Sequence, residues 1–222
     1  MTSSKYCFAV LLACLPVASS NAMPIIFDLE NQSQSGFNGG VLQSLVLTAS
    51  TLSITITRPG TPSRFDIYDV NDIENPSFPA DWGVRSISPW FSNAGTAFVA
   101  TFDRPVKAFS IDMGDFGGDP DTLFLEAYSG VNATGSLLAS TTTMLPQGGS
   151  LFTEASLSVA LDQPFIQSVR FRGGTEQFST PFGTFSIPNS VYYDNISVVI
   201  PEPASLSLLA GAGMLALRRR RA

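Results

Sequence analysis

Between residues 51 and 57 the chain alternates strictly, with Leu52, Ile54 and Ile56 set between Thr51, Ser53, Thr55 and Thr57. A period of two with β-branched residues on the outward face predicts a half-buried strand. Comparable runs recur at Ile25 to Glu30, Leu42 to Ala49, Arg64 to Asp69, Ala97 to Asp103, Val106 to Met113, Thr122 to Tyr128, Ser136 to Thr142, Leu151 to Leu161, Phe165 to Arg172 and Val191 to Ile200. Turn signals separate them at Arg58-Pro59-Gly60, Asp103-Arg104-Pro105, Gly117-Gly118-Asp119-Pro120, Gly148-Gly149 and Asp162-Gln163-Pro164. No window of a dozen residues shows convincing helical periodicity. Ten or eleven short strands at this spacing predict an all-β fold, an antiparallel β-sandwich of jelly-roll type. Two segments, Asn75 to Gly95 and Gly173 to Asn189, lack strand alternation and read as long loops, and loops of that length are often functional.

The ends follow different rules. Ala204 to Leu217 is an uncharged run that as a helix reaches about 21 Å, short of a hydrocarbon core of roughly 30 Å. It spans only if the stems of Arg218, Arg219, Arg220 and Arg221 snorkel and the bilayer thins. The arginines should stay cytoplasmic, which leaves Pro201, Glu202 and Pro203 on the far side of the inner membrane in an extended junction. Proline-rich motif, short apolar run and arginine cluster, in that order, resemble the PEP-CTERM sorting signal of Gram-negative bacteria, with Ile200 where valine is commoner. The resemblance implies transient insertion in the inner membrane, removal of the tail by an exosortase, and release to the cell surface or extracellular matrix. On spacing alone the segment also reads as a plain tail or a permanent anchor.

At the other end, Lys5, an apolar stretch from Phe8 to Leu15 and the small-x-small site Ser20-Asn21-Ala22 predict a signal peptide cleaved after Ala22. A rival reading makes Leu11-Leu12-Ala13-Cys14 a lipobox. The predicted organisation is a signal peptide over 1–22, a β-sandwich over 23–200 and a sorting tail over 201–222, with the sandwich outside the cytoplasm.

That division changes the composition. Both cysteines, Cys7 and Cys14, fall in the signal peptide, so no disulfide is expected in the sandwich. Of the 12 basic residues, Lys5 and Arg218 to Arg221 lie in the ends, leaving seven against 17 acids and a net charge near minus ten. Such a surface repels nucleic acid and favours solubility or cation binding. The absence of histidine excludes a Ser-His-Asp triad and ordinary histidine zinc sites.

The stretch from Pro105 to Asp119 running into Thr122 to Gly130, with Phe165 to Phe171 and the closing Tyr193-Asp194-Asn195-Ile196-Ser197-Val198, resembles the galactose-binding-like jelly rolls, related in fold to carbohydrate-binding modules. Fold likeness alone does not establish sugar binding. Asp28 and Glu30 sit two apart on the first strand and Asp194 on the last. Asp194 shares parity with Tyr192, Ile196 and Val198, which sets a carboxylate among apolar side chains and demands a partner. The resemblance implies a structural calcium held by Asp28, Glu30, Asp194 and backbone carbonyls, in keeping with a hard cation's preference for oxygen. The plainer expectation is that Asp194 caps a turn or pairs with Arg170 or Arg172.

Asp112, Asp115, Asp119 and Asp121 do not match EF-hand spacing and read as a solvated turn. Trp82 and Trp90 in one long loop, with Phe91, and Phe178, Phe182 and Phe185 in the other, offer flat faces for sugar rings or, equally, lids that bury themselves on the sandwich. No pair among the acids has a recognisable glycosidase context. The expectation is an exported, non-catalytic sandwich sorted by an exosortase and holding exopolysaccharide. A purely structural matrix protein and a small secreted glycoside hydrolase are the alternatives.

Overall fold

A computed structural model of the chain describes residues 23–33, 42–60, 64–69, 79, 82–88, 97–116, 120–146, 152–180, 183–188 and 191–201, with backbone only for 175–180 and 183–188. Ala22, Trp90, Glu202, Pro203 and Arg218 to Arg221 lie outside the described residues. Among the described residues no helix is long and apolar enough to cross a membrane.

The strands are β1 (Ile25–Phe27), β2 (Ser44–Ala49), β3 (Leu52–Thr57), β4 (Asp66–Asp69), β5 (Arg85–Ser88), β6 (Phe98–Val106), β7 (Ala108–Asp115), β8 (Asp121–Tyr128), β9 (Leu137–Leu145), β10 (Thr153–Ala160), β11 (Ile166–Gly173), β12 (Thr175–Thr180), β13 (Gly183–Pro188) and β14 (Tyr192–Val199). They form two antiparallel sheets and a separate hairpin. The first sheet runs β10-β7-β14-β5-β4, with β1 also paired to β14, and the second runs β2-β3-β6-β11-β8-β9. The hairpin is β12-β13.

The inward residues of both sheets make one core, so the fold is a β-sandwich as the alternation predicts. On the second sheet Phe98 stacks on Phe171 at 5.5 Å, and both meet Tyr193 of the first sheet edge-on at 5.1 and 5.0 Å. The Gly173 N–H donates to the Tyr193 hydroxyl at 3.0 Å, tying the layers together across the core. The expected turn at Asp103-Arg104-Pro105 is an interruption inside β6. Val106 pairs with Ile166 and Thr101 with Ser168, so three extra residues bow out, exposed. The chain then changes sheets at Lys107, whose N–H donates to Val199 O at 2.8 Å.

Three expectations are corrected. The segment 75–95 contains β5, and 173–189 contains the β12-β13 hairpin, so neither is a structureless loop. Short runs such as Arg85-Ser86-Ile87-Ser88 hold too few alternating positions to rise above their surroundings. The four acids do not share one solvated turn: Asp112 and Asp115 belong to β7 and Asp121 opens β8, with Asp115 and Asp121 buried, while Asp119 lies outside the described residues. The third correction concerns Asp194 and defines the site.

Candidate functional site

Strand β14 pairs with β7 along one edge, and its other edge is shared. Tyr193 pairs with Ile87 of β5, whereas Ile196, Ser197 and Val198 pair with Phe27, Ile26 and Ile25 of β1. Asp194 and Asn195 sit where β5 ends and β1 begins. At the same point the pairing with β7 slips, because Asp194 faces Asp112 but Ser197 faces Ser110, so β14 carries one extra residue. That is a β-bulge, and Asn195 occupies it with φ 48, a left-handed conformation that asparagine tolerates.

The bulge re-phases the strand. Val191 and Tyr193 face the core before it, Ile196 and Val198 after it. Asp194 therefore does not share the core face with Ile196 and Val198, as simple parity predicts, but points to the outer side with Tyr192. It is nevertheless only 4% exposed. An aromatic cluster outside the first sheet, formed by Tyr68, Trp82 and Tyr192 with Val84, Phe116 and Phe152 packed against it, is its neighbour.

Trp82 belongs to that cluster, 2% exposed and edge-on to Phe152 at 4.9 Å. Phe152 in turn meets Phe116 at 4.7 Å and lies over Gly114, where an added Cβ would stand 2.3 Å from its ring. The absence of a side chain on the outward face of β7 at Gly114 is what lets the aromatic lid lie flat. Trp82 packs as the self-burying lid rather than presenting a face for stacking.

Asp28 and Glu30 lie in the turn just after β1 rather than on the first strand, and they reach the same place. A cavity of about 300 Å³ is lined by Ile26, Asp28, Glu30, Trp82, Gly83, Asp194 and Asn195, so the three carboxylates singled out in the sequence share one wall. Each is held by backbone. Asp28 Oδ1 accepts the Glu30 N–H at 2.8 Å, and Glu30 Oε1 accepts the Val84 and Arg85 N–H groups at 2.7 and 2.8 Å. Asp194 Oδ1 accepts the Asn195 N–H at 2.7 Å. Arg85 Nη1 donates to Glu30 O at 3.0 Å and also to Gln32 O, strapping the segment after β1 against β5. Gly83 is required twice, since its φ is +62 and a Cβ there would lie 2.3 Å from Glu30 Oε1.

Burial drives the Asp194 carboxyl up from its ordinary value to about 8, against the Asn195 N–H, while Glu30, Asp112 and Asp28 push it further up. Asp112 is its cross-strand partner on β7 and accepts the Ser156 hydroxyl. Like charges directly opposite on neighbouring strands are unfavourable. Neither Arg170 nor Arg172 relieves this, because both are on the second sheet, where Arg170 pairs with Glu126 at 2.5 Å.

The donor set is all oxygen, which suits a hard cation and not a thiolate or imidazole metal. Asp194, buried and without an ion pair among the described residues, is the group a cation would satisfy. Among the described residues no three acidic, cysteine or histidine side chains form a group that holds a metal ion as placed. A cation there would draw its charge from Asp28, Glu30 and Asp194, with backbone carbonyls and water as the remaining ligands. The sequence carries no signal for Gly83 or Asn195, and it places Asp112 in a solvated turn, whereas tertiary contacts set it opposite Asp194.

No protein-family model matches the sequence, and no curated protein matches it either. Among solved structures, a cleaved adhesin domain of Lys-gingipain is similar at 12% identity and a TM-score of 0.46, over 80% of this chain and 98% of that one. A DUF4465 family protein from Bacteroides caccae has 14% identity and a TM-score of 0.46, over 81% and 100%. A xylan-binding domain from Paenibacillus barcinonensis has 14% identity and a TM-score of 0.34, over 79% and 98%. Likeness this loose carries no residue's role across.

Proposed function

We propose that this protein is an exported, non-catalytic jelly-roll sandwich, sorted by an exosortase to the cell surface or extracellular matrix, where a calcium-held body retains polysaccharide. The address rests on the tripartite tail and the signal-peptide pattern at the other end. The observation that carries the calcium reading is the buried Asp194 at the shared edge of β14, in a cavity also lined by Asp28 and Glu30. A non-catalytic role is supported by the way these acids are used. Asp28, Glu30 and Asp194 each have an oxygen committed to backbone N–H groups, which organise a joint between strands. A purely structural matrix role is the second reading, favoured by the burial of Trp82, which removes one flat face for sugar stacking.

The test uses the full chain purified in mild detergent. Ten millimolar calcium, against excess chelator, should raise the melting midpoint by about 5 °C, the shift expected for a site in the 10⁻⁴ to 10⁻³ M range typical of extracellular modules. An unchanged midpoint removes the cation. Retention on the producer's own exopolysaccharide, without release of reducing ends, supports the binding half, and reducing-end release overturns the non-catalytic reading. The address is checked by mass: protein recovered outside the cells should lack Arg218 to Arg221.

A further inference from the structure

The outer face of the second sheet has a different chemistry from the acidic joint. On β8, Phe124, Glu126 and Tyr128 point outward, since Leu123, Leu125 and Ala127 fill the core. Opposite them on β11 stand Arg170, partner of Glu126, and Arg172, partner of Phe124. The Arg172 guanidinium carbon lies 4.0 Å from the Phe124 ring centroid, and that of Arg170 lies 5.5 Å from the Tyr128 centroid. Arg170 is further braced by Glu126, Nε to Oε2 at 2.6 Å, and the Tyr128 hydroxyl donates to the same oxygen at 2.9 Å.

The two arginines differ in one respect. Arg170 is neutralised by Glu126, whereas Arg172 makes no ion pair among the described residues. A guanidinium laid flat on a ring keeps its N–H edge free and loses little further freedom on binding, which suits a planar, bidentate anion such as a carboxylate. Residues two apart on one strand are about 7 Å apart, so the two cations form a short row along β11.

The net charge near minus ten works against a polyanion at long range, but salt screens it and the arginines act at contact distance. Asp112 and Asp194 face outward from the other sheet, and the two sheets stand about 10 Å apart before side chains are added, a full Debye length at 0.1 M salt. Nucleic acid carries about one charge per 1.7 Å and needs many more cations than two. Next to the arginines the turn at Val131 to Ala133 bounds the face, its Asn132 Oδ1 accepting the Thr101 hydroxyl at 3.1 Å and its Ala133 N–H donating to Ser168 at 2.8 Å. Thr101 of β6 pairs in register with Thr55 of β3 and accepts the Asn132 N–H at 3.2 Å. Arginines held on aromatic supports two residues apart match a sugar polymer with spaced carboxylates.

We propose that the outer face of the second sheet, at Arg170 and Arg172 on their aromatic supports, is a docking strip for an acidic polysaccharide bearing carboxylate groups along its chain. The strip rests on the polysaccharide-retaining role above and names its ligand class. The test is affinity electrophoresis of the full chain in mild detergent through gels containing alginate, a polyuronate, or dextran, a neutral glucan. Chelator is present throughout, so that calcium bridging contributes nothing.

Alginate should retard the protein and dextran should not, and Arg172→Gln should weaken alginate binding about tenfold, as loss of a charge-assisted bidentate contact does. Phe124→Leu, which keeps the charge and removes the flat support, should give a smaller loss. Arg172→Lys should not restore full binding, and serves as the second variant should the glutamine form fail to fold. Equal retardation of wild type and Arg172→Gln overturns the strip, as does equal retardation by both glycans. If alginate does not retard the protein while the producer's own polysaccharide does, the strip falls and the retaining role stands.

Discussion

In chelator, the folded chain should lose stability as the pH rises from about 4 to about 8, by a few kcal/mol and of the order of 5 at most, from the Asp194 shift alone. The folded state holds the Asp194 proton up to about pH 8, whereas the unfolded chain releases it near the ordinary aspartate value. Between those limits the folded state binds more protons, so the free energy of unfolding falls with pH, and outside them this contribution is flat. Burial is the main cause, so the effect belongs to the joint and not to the surface charge. Asp194→Asn retains an oxygen for the Asn195 N–H but nothing to ionise. It should flatten the slope and unfold at higher denaturant than wild type at pH 8. Parallel slopes for the two proteins across pH 4 to 8, measured by denaturant midpoint, would show that Asp194 is not the group responsible.

Trp82→Ala should destabilise the fold by about 3 kcal/mol, the lower end for truncating a buried aromatic, and lower the melting midpoint by roughly 10 °C. The indole belongs to a satellite cluster outside the first sheet and not to the main core. Removing the indole strips Phe152 of its edge-on partner and opens the wall of the acid-lined cavity. Polysaccharide retention, measured well below the new midpoint, should be little altered. The opposite pattern, normal stability with retention lost, would return Trp82 to the stacking role its sequence context also allowed.

These expectations divide along what is legible in a linear chain. Alternation in Leu52 to Thr57 and Thr122 to Tyr128 specified strands and their inward faces, because a strand's period of two is local. Arg85 to Ser88 and the hairpin from Thr175 to Pro188 were not legible. β5 is only four residues long, and neither segment alternates clearly enough to stand out from the loop residues around it. Parity failed at Asp194 for a different reason. One residue inserted at Asn195 reverses every later side chain, and nothing in Tyr192 to Val199 marks where the insertion falls.

Sequence by itself determined the strand-rich body, the charge balance, the lack of histidine, and the oxygen-only chemistry of any site built from Asp28, Glu30 and Asp194. These are properties of composition and local period, independent of how strands pair. The tertiary structure alone decided that those three acids line one cavity, that Asp112 and Gly83 complete its surroundings, and that Trp82 lies beneath the surface. Each of these depends on β1 and β5 dividing a single edge of β14, a pairing between segments far apart in the chain that no local pattern encodes.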